Sequence, residues 1–163
     1  MQMEWAEYKV SEIIELYKNN LLQANPEYQR GAVWSYTQKQ KLIDSVFRGY
    51  PIPLIYWHHI KREVAGVVRE DFEIIDGQQR INALYEFHEG AYKLLDPKKD
   101  DQKGKFPDFL KHQPCPWGGK KFEQLDINLQ QSFLDTPLSV AKIYTQDANE
   151  VRDLFIRLQA GSA

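Results

Sequence analysis

Ile74-Ile75-Asp76-Gly77-Gln78-Gln79-Arg80-Ile81-Asn82-Ala83-Leu84 joins an apolar strand end to a helix-forming segment through one Asp-Gly step. The first turn of that helix carries two amides and an arginine. Its free backbone N–H groups and the positive end of the helix dipole make a ready anion site, most often for phosphate. Arg80 adds a planar, permanently charged donor fork at the same spot. The same composition also makes an ordinary strand-to-helix turn with polar caps, and the physics of this run leaves both readings open.

Outward from this run the pattern predicts alternating helices and strands. Ser11 can cap a helix bearing Ile13, Ile14, Leu16 and Tyr17. Leu21 to Ala24 predicts a short strand, and Asn25-Pro26 opens a loop that runs to Trp34. Thr37 can cap a helix over 38–48 whose Leu42, Ile43, Val46 and Phe47 share one face, closed by Gly49. Leu54 to Ile60 starts apolar on both faces and predicts a central strand. Lys61 to Asp71 predicts a solvated turn at a hairpin tip, with Phe72 to Ile75 as the returning strand. The helix after Gly77 places Ile81, Leu84, Tyr85 and His88 together and ends at Gly90. Tyr92 to Leu95 predicts a weak strand. Asp96 to Gly119 carries Lys98, Lys99, Lys103, Lys105 and Lys111 with several prolines, and predicts a long loop that is functional or mobile. Asp126 caps a helix through Leu134, Leu138 to Tyr144 is a strand, and Asp147 or Asn149 starts a last helix buried through Val151, Leu154, Phe155 and Leu158. The expectation is a mixed α/β (α+β) single domain over 1–163. Because the chain stops at Ala160-Gly161-Ser162-Ala163 directly after an apolar helix, it is expected to be an N-terminal fragment of a longer protein.

Length and composition agree with one domain. The chain has 163 residues, enough to bury a sizeable core. A formal net charge of −2 gives no bulk attraction to nucleic acid, so any DNA contact needs a local basic patch. No apolar run approaches a membrane span, and the N-terminus lacks the layout of a secretory signal. The one cysteine, Cys115, excludes an internal disulfide framework and a multi-cysteine zinc site. A cytoplasmic protein is expected.

Three polar segments stand beside tight turns and buried elements. The first is Asp76 to Arg80. The second is Asn25-Pro26-Glu27-Tyr28-Gln29-Arg30-Gly31-Ala32-Val33-Trp34, followed by Gln38 and Lys41. Arg30, in a loop bounded by Pro and Gly, either pairs with Asp44 or Glu27 or meets a phosphate. Trp34 reads better as core than as a base-stacking platform. The third is Phe155-Ile156-Arg157-Leu158-Gln159-Ala160-Gly161, where Arg157 lies opposite the apolar face and reads as a solvated charge unless the first two segments fold beside it. Adjacent His58 and His59 on a strand point to opposite faces and cannot share a metal. Asp71, Glu73 and Asp76 offer oxygens to magnesium, but Asp71 and Glu73 read better as strand-edge charges. No metal-ligand set is assigned. Cys115, between two prolines, reads as inert.

Together these segments resemble the N-terminal domain of GmrSD-type restriction systems, a family marked by the Asp-Gly-Gln-Gln-Arg motif. The resemblance runs from about Tyr8 to the last residue. It rests on Pro26-Glu27-Tyr28-Gln29-Arg30 with Val33-Trp34, Leu42-Ile43-Asp44-Ser45-Val46, Gly49-Tyr50-Pro51-Ile52-Pro53, Ile75 to Arg80, and Phe155-Ile156-Arg157-Leu158. It implies a compact ParB/sulfiredoxin-like fold, a small mixed sheet flanked by helices, whose members bind nucleotides at a Gly-x-x-Arg turn. Gly77 and Arg80 keep the ends of that turn, and Gln78 and Gln79 replace the Glu-Arg that ParB-like proteins carry between them. Gln159 stands where the family usually has Asn. The family often carries a His-Asn-His nuclease domain downstream, and these residues hold no such motif.

The resemblance implies a nucleotide-binding, NTP-hydrolysing regulatory domain of a phage-restriction protein. Gln29, Arg30, Lys41, Gly77, Arg80 and Arg157 would bind the nucleoside triphosphate, with Arg30 and Arg80 lining one pocket. Asp76, Gln78, Gln79 and Arg80 would act on it: Gln78 or Gln79 orients a water, and Asp76 orients the turn or reaches Mg2+. The partners implied are DNA, modified phage DNA included, and a downstream nuclease domain or subunit, with no membrane. Two other readings stay open. One is a DNA-recognition module without catalysis, using Arg30, Arg80 and the lysines from Lys98 to Lys121. The other is a ParB-like nuclease.

Overall fold

A computed structural model describes residues 1–29, 33–100 and 106–161 of the chain. Arg30, Lys103 and Lys105 lie outside the described residues. Among the described residues, β1 (Gln2–Lys9), β2 (Leu22–Ala24), β3 (Ile55–Val64), β4 (Val67–Asp76) and β5 (Pro137–Tyr144) form one mixed sheet in the order β1-β5-β3-β4-β2. Five α-helices accompany it: α1 (Val10–Lys18), α2 (Tyr36–Arg48), α3 (Gln78–His88), α4 (Ile127–Asp135) and α5 (Ala148–Gly161). The α/β class is therefore the observed one. Its central hairpin is β3–β4; β5 runs parallel to β3 and antiparallel to β1, and β2 runs parallel to β4.

Strand alternation sorts the apolar residues onto two covered faces. Trp57, Ile74, Leu138 and Val140 face the main core, with Ile13 and Ile14 of α1, Ile43 of α2, Leu84 and Phe87 of α3, and Phe133 of α4. Tyr56, Ile75 and Ile143 face the other way, against Tyr28 and against Val151 and Phe155 of α5. Burial on both faces is why Ile74-Ile75 reads as a continuous apolar run rather than an alternating one. The expected apolar faces of α2 and α5 are observed; on α3, Ala83 and Phe87 join Ile81 and Leu84 in the core, and Tyr85 and His88 are only half-buried.

Several expectations need correction. β1 was not expected: its residues are mostly exposed, so it has no clean alternation, and its partner β5 lies over a hundred residues away. Helix α1 starts at Val10 rather than after Ser11, and the Lys9 N–H donates to Glu12 Oε1 at 2.9 Å. Ser35, not Thr37, caps α2 by accepting from the Gln38 N–H. The solvated turn shrinks to Ala65-Gly66, both at positive φ (53° and 80°), as a type I′ hairpin loop requires, and the strands run up to it from both sides. Tyr92 to Leu95 is not a strand; the Leu94 N–H donates to the Lys120 carbonyl, and the Gly119 N–H donates to the Leu94 carbonyl. Within 96–119 the described part is built rather than loose. Trp117 is buried, stacks on Phe47, and donates its Nε1–H to Asp44 Oδ1 at 2.8 Å. Among the described residues, no helix is long and apolar enough to cross a membrane.

Candidate functional site at the Asp76–Arg80 turn

Strand β4 ends at Asp76, and Gly77 turns the chain directly into α3. Gly77 sits at φ 102°, in the left-handed region that other residues rarely occupy. A Cβ there would also lie 3.1 Å from Ile55 Cγ2 and 3.2 Å from Arg80 Nη2. Among the described residues no side chain caps α3, so its first N–H groups are left to whatever sits above the turn.

Arg80 folds back beneath Gly77. Its Nη2 donates to the Leu54 carbonyl at 3.1 Å and to Asp76 Oδ2 at 3.3 Å. Its Nε is buried without a hydrogen-bond partner among the described residues. Burial pulls the guanidinium below its ordinary value, and Asp76 opposes that fall. The cation thus stands in a nearly dry place, and among the described residues one of its donors has no partner.

The other two polar segments reach this turn, among the described residues through Trp34 and Gln159. Gln79 Oε1 accepts from the Trp34 backbone N–H at 3.1 Å, which ties the second segment to α3. Gln159 Nε2 donates to Asp76 Oδ1 at 3.1 Å, which ties the end of α5 to the turn. Asp76 therefore divides its two oxygens between Arg80 and Gln159. Trp34 is half-buried against the main core, as expected.

The remaining predicted residues stand apart. Gln78 turns inward, where its Nε2 donates to Asn82 Oδ1 at 2.8 Å and to the Tyr17 hydroxyl at 3.3 Å; it links α3 to α1 and does not face the turn. The amide is the first residue of α3, and the core side of that helix begins with it. Lys41 lines a separate small cleft with Gln40, Asp44, Leu95 and Phe106. Arg157 is exposed and pairs with Asp153 at 3.0 Å, so it is the solvated helix charge. Gln29 is exposed at the end of the 3-10 turn Pro26–Tyr28, its N–H donating to the Pro26 carbonyl. Arg30 lies outside the described residues; of the two partners expected for it, Glu27 pairs with Arg152, and Asp44 pairs with Arg48 and accepts from Trp117.

Among the described residues no group of three His, Cys, Asp or Glu side chains could hold a metal ion. Asp71 is fully buried and paired with Arg69 and Arg62, and Glu73 accepts from Asn25 Nδ2 at 2.9 Å, so both are structural. Among the described residues Asp76 presents its carboxylate at the turn, with one oxygen held by Arg80 and the other by Gln159. Burial, aided by Asp44, pushes the Cys115 thiol up to about 11, in keeping with an inert cysteine.

Sequence reasoning missed the roles of the Leu54 carbonyl and the Trp34 N–H, which are backbone groups with no signature of their own. Gln159 had a signal, an amide directly after Arg157-Leu158, but only the fold shows that it reaches Asp76. No curated protein matches the chain. The model of one family, GmrSD restriction endonuclease, N-terminal domain, matches residues 10–163, and the chain belongs to that family.

Proposed function

We propose that this domain binds a nucleoside triphosphate over the Gly77 turn and hydrolyses it, as the regulatory part of a modification-dependent phage-restriction protein. The observation that carries the reading is convergence: three segments far apart in sequence meet at one helix N-terminus that no described side chain caps, with the Arg80 cation held just beneath it. Backbone N–H groups at the start of α3 hold the phosphates, and Arg80 supplies positive charge. Gln79 is the amide that can turn from Trp34 to orient a water, since Gln78 is committed to the core. Asp76 is the carboxylate that would hold a magnesium ion, whose chemistry is to neutralise charge on the phosphate oxygens. Regulation would pass to DNA and to a nuclease domain or subunit.

The test is a binding screen of the four ribonucleoside triphosphates, each with and without magnesium, on the parent chain and on Arg80→Ala. Loss of a charge-assisted phosphate contact costs about 1.5–3 kcal/mol, roughly tenfold or more in affinity. A folded Arg80→Ala chain that binds as tightly as the parent sinks the phosphate role. A DNA-recognition module without catalysis has its own support in the exposed Lys98, Lys99 and Lys121. It predicts DNA binding that weakens steeply with salt, and no phosphate release with or without DNA.

A further inference from the structure

The hairpin β3–β4 outruns the rest of the sheet. Strand β5 pairs with β3 only over Ile55 to His58, whereas β3 continues to Val64. Beyond His58 that side of β3 has no neighbouring strand among the described residues. Its backbone polarity can be read from the register. Val64 and Val67 flank the two-residue loop and form the closing hydrogen-bonded pair, so alternate residues down β3 turn their main-chain groups away from β4. Those residues are Glu63, Lys61 and His59. The far end agrees: Phe72, the partner of His59, gives its N–H to Leu21 on the β2 side and not to β3. The N–H and C=O groups of Lys61 and Glu63 therefore point into open space, which natural sheets seldom leave uncovered on a long strand.

We propose that a second copy of this chain covers this edge, the two β3 strands pairing antiparallel about a two-fold axis at Arg62. In that register Lys61 of each copy stands opposite Glu63 of the other, which gives two opposite-charge cross-strand pairs. Ile60 stands opposite Val64, which is 54% exposed in the single chain. Moving the register by two residues in either direction sets Lys61 against Lys61 or Glu63 against Glu63, so charge selects this alignment. Arg62 meets Arg62, and each is already paired with the buried Asp71 of its own chain at 3.4 Å. The alignment also brings the Ala65 tip of each copy opposite His59 of the other. A cleft of about 750 Å³ lies there, lined by His58, His59, Ile60, Tyr144, Thr145 and Gln146, wide enough for a two-residue loop.

The experiment measures mass against concentration for the parent chain, Lys61→Glu, Glu63→Lys, and an equimolar mixture of the two variants. The parent moves from its 19.2 kDa monomer towards twice that mass as concentration rises. Each variant alone self-associates at least about tenfold more weakly, because both pairs become repulsive. The mixture recovers a dimer holding one of each. One chain then carries acidic side chains at both positions and the other basic ones, so both cross-strand pairs are attractive again. A second readout covers variants that fail to fold: in the parent chain, amide exchange at Lys61 and Glu63 slows as concentration rises, and exchange at the β2 edge does not. A parent that stays monomeric, with these amides exchanging equally fast at every concentration, overturns the proposal and leaves the edge to a strand of another protein. Variants that dimerise as well as the parent overturn it too.

Discussion

Gln78 and Gln79 are neighbours with the same side chain, and the fold sends them in opposite directions. Gln78 ties α3 to Tyr17 and Asn82 within the core; Gln79 reaches out to the Trp34 N–H. A Gln78→Ala substitution should therefore act on stability, by about 1–3 kcal/mol for a buried amide network left incomplete, and leave nucleotide affinity near that of the parent. Urea denaturation beside a binding titration checks this. Unchanged stability with weakened binding would return Gln78 to the turn, beside Gln79. The site was legible in the sequence to the extent that its chemistry lies in side chains next to a turn: Asp76, Gly77 and Arg80 sit where the motif puts them. Which of two adjacent amides faces the turn depends on where α1 packs, and no local pattern encodes that. Arg157 shows the same limit from the other side: it stands in a polar segment that reaches the site, yet it pairs with Asp153, while Gln159, two residues on, bonds to Asp76.

At the scale of elements, α5 is the piece whose packing matters most to the turn. It covers the second face of the sheet through Val151 and Phe155, and Phe155 packs on Tyr28 with ring centroids 5.1 Å apart. One side chain thus joins α5 to the 3-10 turn near the start of the second polar segment. Phe155→Ala should cost about 3–5 kcal/mol. It should also release Gln159 from Asp76, so amide exchange in α5 rises more than in the buried turns of α3. Equal protection of α5 in parent and variant would show that the helix is held by other contacts. The helices were legible because each carries a 3.6-residue apolar period, and α4 also carries a capping side chain at its start, Asp126. The central strands were legible from their apolar runs. β1 was not, because an edge strand with most of its surface exposed carries little hydrophobic pattern, and pairing with β5 is a long-range event. The hairpin was underestimated for a related reason: its outer residues are charged or exposed on both faces, which reads as a solvated turn.

For the whole molecule the sheet order sets how the chain's two ends depend on each other. β1 lies outside β5, pairing Gln2 with Tyr144 and Lys9 with Pro137. Removing residues 1–8 should bare the β5 edge along a strand whose Leu138, Val140, Ala141 and Ile143 are buried. The shortened chain should aggregate at concentrations where the parent stays clear, which light scattering on matched samples measures. A shortened chain as soluble as the parent would mean that β5 needs no cover on that side. The same pairing has a consequence in time. During synthesis the first strand emerges long before its partner, and at about 5–20 residues per second it waits on the order of ten seconds for β5 to follow. Throughout that interval the hairpin β3–β4 and α1 to α3 can assemble from near neighbours, while the outermost strand stays a loose leader. Of the five strands, the one made earliest is thus among the last to take its place in the sheet.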